Sequence, residues 1–243
     1  LRCLVGSEMC IRDRKKTILI TGANRGIGFA LTKLCLSKDL YVEACCRNPD
    51  NSHELNNLSN NNPHLNITKM DVTSSKSILK ASENFKNEID ILVCNAGVNN
   101  GKGDIFSDEH NENAIMEVMM VNVGGPFLTI QNLYKNLNKK TISKIVIISS
   151  LMGTQTHISN NAPIYRASKA AANNLMRTIS NHFLNDNIIV SSYHPGWVRT
   201  DMGGANADIS TEESATGLIN HFLNLKKSDS GKFFNFDGKP LPL

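Results

Sequence analysis

The sequence predicts a single α/β domain of the doubly wound kind, a parallel sheet flanked by helices on both faces, and three observations carry that expectation. Short apolar segments alternate along the chain with longer helical patterns, as parallel strands joined by crossover helices require. The strand-like segments are apolar nearly throughout, which suits strands covered on both faces. A glycine-rich turn follows the first of them directly and opens into a helical run. With 243 residues, 40% of them hydrophobic and 20% charged, the chain can bury one sizeable core and is short for two.

In chain order, residues 17–21 (TILIT), 41–46 (YVEACC), 65–70 (LNITKM), 89–94 (IDILVC), 144–149 (KIVIIS) and 188–193 (IIVSSY) read as strands. Residues 27–37, 74–86, 111–138, 164–184 and 211–225 lie between or after them and read as helices. The asparagine-rich stretch 48–63 is an exposed connection with room for one short helix. The pairs Lys139-Lys140 and Lys226-Lys227 fall near helix ends, where the helix dipole favours cations. Gly203-Gly204 with residues 205–208 reads as a mobile flap.

No apolar run approaches the ~18–20 residues of a membrane span, so no membrane partner is expected. A formal charge of +4 without a dense basic block is weak grounds for nucleic acid. Cys35, Cys45, Cys46 and Cys94 sit in or beside apolar segments without metal-ligand spacing, and read as reduced, buried small hydrophobes of a cytoplasmic protein. Cys45 and Cys46 should face opposite sides of a strand. The histidines form no spacing suited to zinc, and no metal is expected. Residues 1–14 (LRCLVGSEMCIRDR) show neither a signal-peptide run nor an amphipathic period. They resemble translated sequencing-adapter read-through and read as a non-native or disordered arm ahead of a domain spanning residues 15–243.

The turn Thr21-Gly22-Ala23-Asn24-Arg25-Gly26-Ile27-Gly28 has the spacing Gly-x-x-x-Gly-x-Gly. Glycine lets the chain reverse sharply and lets a phosphate approach the backbone. The helix N-terminus then offers unpaired N–H groups and a positive dipole end to that phosphate. Further along come Asp71-Val72, Asn95-Ala96-Gly97, Asn122, Ser149-Ser150, Tyr165-x-x-x-Lys169, and Pro195-Gly196 with Val198 and Thr200. In this order the pieces resemble the short-chain dehydrogenase/reductase family over almost the whole chain from Lys15. Within it, the segment HPGWVRTDMGG and the tail FDGKP are most similar to C-factor and sniffer-type carbonyl reductases.

That resemblance implies a Rossmann-type fold and a cofactor site made by Gly22, Asn24, Arg25, Gly26, Ile27, Gly28, Arg47, Asp71, Val72, Asn95, Ala96, Gly97, Tyr165, Lys169, Pro195, Gly196, Val198 and Thr200. It implies catalysis by Asn122, Ser150, Tyr165 and Lys169, with Lys169 also holding the nicotinamide ribose and Asn122 anchoring a water that links Lys169 to solvent. The residues support the chemistry independently. Tyr165 and Lys169, four apart on a helix, share a face. A free tyrosine has a pKa of about 10, and a nearby ammonium should lower it, so that Tyr165 can exchange a proton with a carbonyl oxygen. Ser150 can donate to the same oxygen and hold it against Tyr165.

Charge argues for the cofactor. A carboxylate after the second strand would bind a ribose 2′-hydroxyl and repel a 2′-phosphate. Here Cys46 and Arg47 occupy that place, and Arg25 stands in the glycine turn. Two guanidiniums favour NADP(H) over NAD(H). The expected activity is NADPH-dependent reduction of a ketone or aldehyde, with a small-molecule carbonyl or alcohol as partner. A nucleotide-binding signalling or regulatory protein with little turnover is the alternative. The resemblance leaves a homodimer or homotetramer open.

Overall fold

The computed structural model describes residues 14–243; most of the leading arm, residues 1–13, lies outside them. The strands are β1 (Thr17–Thr21), β2 (Tyr41–Cys46), β3 (Leu65–Lys69), β4 (Ile91–Cys94), β5 (Ser143–Ile148), β6 (Ile188–His194), β7 (Phe233–Asn235) and β8 (Pro240–Leu241). The main helices are α1 (Gly26–Ser37), α2 (His53–Asn60), α3 (Ser75–Ser82), α4 (Glu112–Met119), α5 (Gly125–Leu133), α6 (Pro163–His182) and α7 (Thr211–Asn224). The strands form one sheet of order β3-β2-β1-β4-β5-β6-β7-β8, parallel except for β8. The order reverses between β1 and β4. At such a switch point the chain leaves neighbouring strands in opposite directions, and a crevice opens at their carboxyl ends.

Alternation along the central strands divides the core in two. Ile18, Ile20, Ile91, Val93, Val146 and Ile148 pack towards Leu31 and Cys35 of α1, Leu55 of α2 and Leu218, Ile219 and Phe222 of α7. Leu19, Leu92, Ile145 and Ile147 face Ile78 of α3, Ile130 and Leu133 of α5, and Ala172 and Met176 of α6. Cys45 joins the second cluster and Cys46 the first, the opposed placement that the pleat requires. Among the described residues, Cys35, Cys45, Cys46 and Cys94 are buried free thiols. Lys144, on buried β5, sends its ammonium to the carbonyls of Phe222 and Leu223, 2.8 and 2.6 Å away, and so caps the end of α7.

Three departures from the sequence reading have physical causes. The helix expected over 111–138 is interrupted by a π turn at Met120–Gly124, where the Gly125 N–H reaches the Met120 carbonyl. Pro126 supplies the reason: it has no N–H to offer the carbonyl of Asn122, four residues back. The stretch Glu112–Asn136 is also long and apolar enough to cross a membrane by length and composition, contrary to the expectation that no run comes close. It lies on the sheet, with Val121, Ile130 and Leu133 in the core. Finally, β7 and β8 were not anticipated. Three and two residues long, they carry too little pattern to show, and pairing of β7 with β6 and of β8 with β7 makes them strands.

Candidate active site

The carboxyl ends of β1, β4 and β5 open into a cleft of about 750 Å³. Its floor begins with the glycine turn. Gly22 and Gly26 have φ of +65° and +55°, a region that other residues rarely enter. Gly28 is required by contact: a Cβ there would stand 2.2 Å from the Gly22 carbonyl oxygen. Arg25 occupies the N-cap of α1 without a side-chain cap, and the first turn holds no acid. The first N–H groups of α1 and its positive dipole end therefore face the cleft without an anion of their own.

Thr21, at the end of β1, accepts hydrogen bonds from the N–H groups of Asn95 and Ala96, both at 3.0 Å. The Asn95 amide donates to the carbonyls of Thr21 and Gly22 at 2.9 and 3.2 Å. Asn95 thus braces the glycine turn against β4. Asp71 Oδ1 accepts from the backbone and hydroxyl of Thr73, which fixes its carboxylate at the cleft wall beside Val72.

The titratable group lies beside this floor. Ser150 caps the short 3₁₀ turn Leu151–Gly153, accepting from Met152 N–H at 3.1 Å, and its hydroxyl is close enough to Tyr165 to favour the ionised phenol. Gly153 allows the turn to touch α6, since a Cβ would lie 2.6 Å from the Lys169 carbonyl carbon. Ser149 also lines the cleft, and its hydroxyl donates to the Lys169 carbonyl at 3.2 Å. The Lys169 ammonium donates to the Ile148 carbonyl at 2.9 Å and stands 5.5 Å from the centre of the Tyr165 ring. Asn122 is fully buried: its amide exchanges two 2.9 Å bonds with the backbone of Val98 and donates to Ser168 at 3.0 Å. Gly97 keeps the space between them clear, for a Cβ there would come within 3.3 Å of Asn122 and 3.5 Å of the Lys169 nitrogen.

The sequence reading expected Lys169 to lower the pKa of Tyr165. Instead, burial raises Tyr165 to about 12, with Ser150 pulling the other way. Burial also lowers Lys169, to about 8. In the free protein, loss of water outweighs the tyrosine's ammonium neighbour, whose protons are directed at a carbonyl.

Of the cofactor residues expected from sequence, Gly22, Asn24, Arg25, Gly26, Ile27, Gly28, Arg47, Asp71, Val72, Asn95, Ala96, Gly97, Tyr165, Lys169, Pro195 and Thr200 all line the cleft. Gly196 and Val198 turn away. A Cβ on Gly196 would meet Ile209 at 2.4 Å, and Val198 is buried and bridges to Ile209. The flap expected at 203–208 belongs to a loop closed by its own hydrogen bonds. Arg199 and Ile209 pair through their backbones, the Arg199 guanidinium binds the carbonyls of Ala207 and Asp208, and Trp197 binds that of Gly203. Lys33, Glu54, Asp201 and Glu212 also reach the cleft. None was assigned from sequence, because each belongs to a helix or loop whose facing is set only by packing.

The short chain dehydrogenase family model matches residues 16–210. An uncharacterized oxidoreductase of Schizosaccharomyces pombe is 33% identical, over 92% of this chain and 96% of that one. The C-signal protein of Myxococcus xanthus is 29% identical over 63% of this chain and 92% of its own length. Among solved structures, NADPH-bound carbonyl reductase from chicken fatty liver superposes with a TM-score of 0.85 at 31% identity, covering 95% of this chain and all of that one. Carbonyl reductase Sniffer of Drosophila melanogaster gives 0.87 at 26% identity, with the same coverage. The chain belongs to the short-chain dehydrogenase/reductase family. It is an oxidoreductase of a family that uses nicotinamide cofactors and acts on small molecules.

Proposed function

We propose that this protein reduces a ketone or aldehyde with NADPH, using Tyr165 as proton donor, Ser150 and Lys169 as its partners, and Asn122 as the support of Lys169. The observation that carries the reading is the convergence of Tyr165, Ser150 and Lys169 beside a glycine turn that is free of acids. The cofactor fits the residues present. The α1 N-terminus and the positive-φ glycines suit a pyrophosphate, and Arg25, Lys33 and Arg47 supply cations to a cleft wall that also carries the carboxylates of Glu54, Asp71, Asp201 and Glu212. The nicotinamide, when bound, supplies the hydride. Ser150 orients the substrate oxygen, and Tyr165 gives it a proton as the carbonyl carbon is reduced. Lys169 positions the cofactor ribose and adds positive charge behind the phenol. Asn122, locked to Val98 and Ser168, fixes the floor under Lys169.

The NADPH-bound and Sniffer carbonyl reductases among the structural neighbours support the substrate class and cofactor. The similarity to C-signal favours a signalling role with little turnover, but a binding protein has no use for Tyr165, Ser150 and Lys169 together. The test is NADPH consumption against a panel of aldehydes, ketones, diketones and quinones, with parallel titrations of NADPH and NADH. Turnover with tighter NADPH binding is expected. Arg47→Asp should erase or reverse the preference, because it places an anion where the 2′-phosphate is held. No turnover anywhere on the panel, with nucleotide still bound, would favour the signalling reading.

A further inference from the structure

An ion pair crosses the mouth of the cleft. Arg25 Nη1 lies 2.6 Å from Asp201 Oδ2, joining the glycine turn to a loop 176 residues further along the chain. Both residues line the cleft. The Thr200 side chain also packs against the glycine turn there, for a Cβ on Gly26 would come within 3.3 Å of Thr200 Cγ2. The turn that carries Asp201 has hydrogen bonds of its own. Thr200 Oγ1 accepts from the Gly203 N–H at 3.1 Å, the Gly204 N–H donates to the Thr200 carbonyl at 2.8 Å, and Trp197 Nε1 donates to the Gly203 carbonyl at 2.9 Å. The carboxylate reaches Arg25 from a turn that closes on itself.

We infer that Asp201 is a specificity-determining residue: it clasps Arg25 across the cleft mouth, and a nucleotide's 2′-phosphate must take Arg25 from it. The inference rests on the NADP(H) reading and adds to it a residue that opposes the preference Arg25 creates. The side chains of Arg25 and Asp201 are 64% and 79% exposed, so the pair is weak and exchanges readily. A phosphate, with more charge and a better match to the guanidinium fork, displaces a single carboxylate. A nucleotide lacking the 2′-phosphate has nothing to offer Arg25 and leaves the clasp shut. Asp201 therefore reduces affinity for 2′-phosphorylated nucleotides and not for those that lack this phosphate.

Calorimetric titration with adenosine 2′,5′-bisphosphate and with AMP tests this without catalysis, on the wild type, Asp201→Asn, Arg25→Gln and the double variant. Asp201→Asn is expected to tighten the bisphosphate about two- to fivefold, the scale of an exposed ion pair, and to leave AMP unchanged. In the Arg25→Gln background the same change should have no effect. Trp197, the single tryptophan, is bonded within the same loop, so its emission should shift on binding the bisphosphate and not AMP. A gain that is absent, shared by AMP, or retained without Arg25 overturns the clasp while leaving the NADP(H) reading intact. A wild type that binds both nucleotides equally overturns that reading, and the clasp with it.

Discussion

Tyr165 and Lys169 leave water together, and burial moves their proton equilibria in opposite senses, to about 12 and about 8. Each shift favours the neutral form, as desolvation dictates. At neutral pH the phenol is therefore protonated in the free protein, ready to give rather than take a proton. Carbonyl reduction should accordingly hold a plateau through the neutral range and decline above about pH 8 as Lys169 loses its charge, while alcohol oxidation, which needs the phenolate, rises with pH towards 12. Initial rates in both directions between pH 6 and pH 10.5 check this; reduction that climbs steadily with pH would contradict it. Tyr165→Phe keeps the ring and removes the proton. NADPH affinity should stay within about twofold, while kcat falls by roughly 10²–10⁴, the usual cost of losing a general acid. Lys169→Ala should weaken cofactor binding and kcat together, because its ammonium serves both. A Tyr165→Phe enzyme with most of its activity would make this tyrosine structural.

The elements that carry these side chains are held by close approaches rather than by their own propensities. The 3₁₀ turn Leu151–Gly153 places Ser150 only because Gly153 lets it touch the backbone of α6, with a Cβ position 2.6 Å from the Lys169 carbonyl carbon. Gly153→Ala must push the turn off the helix. A cost of about 1–3 kcal/mol is expected for such overpacking, seen as a fall of several degrees in Tm. Activity should drop further than stability explains, while nucleotide affinity is largely kept, because the glycine turn is untouched. An unchanged melting curve would show that the turn has room to move. The π turn follows the same logic: Pro126 removes a donor, the helix widens, and Asn122 is carried inward to Val98 and Ser168.

Across the whole molecule, buried titratable groups set how stability follows pH. Lys144 and Lys169 are both lowered from 10.5 to about 8 by burial. Between pH 8 and 9 the folded chain releases these protons while the unfolded chain keeps them, so stability rises with pH. Cys35 and Cys94 are raised from 9.0 to about 12, and Cys45 and Cys46 move in the same direction. Above pH 9 the unfolded thiols ionise and the folded ones do not, which reverses the slope. Chemical denaturation at half-unit steps from pH 7.5 to 10.5 should show a maximum near pH 9. A steady decline from pH 8 would mean that the amines are hydrated in the folded state.

Much of this was legible in the sequence because it is written in local pattern. Continuous apolar runs marked six strands, the glycine spacing marked the turn between β1 and α1, and Tyr165 and Lys169 fell on one helical face because four residues make about one turn. Order along the chain carried the rest of the cleft, since strands of a parallel sheet deliver their carboxyl ends to one edge. Tertiary structure alone decided the remainder. It made strands of Phe233–Asn235 and Pro240–Leu241 by pairing them to β6 and to each other. It turned an expected flap into a stitched loop and brought Asp201 to Arg25. It also moved Tyr165 upward where a charge argument moved it down. Each of these depends on what lies across space from a residue, and spacing along the chain does not record distance across the fold or access to water.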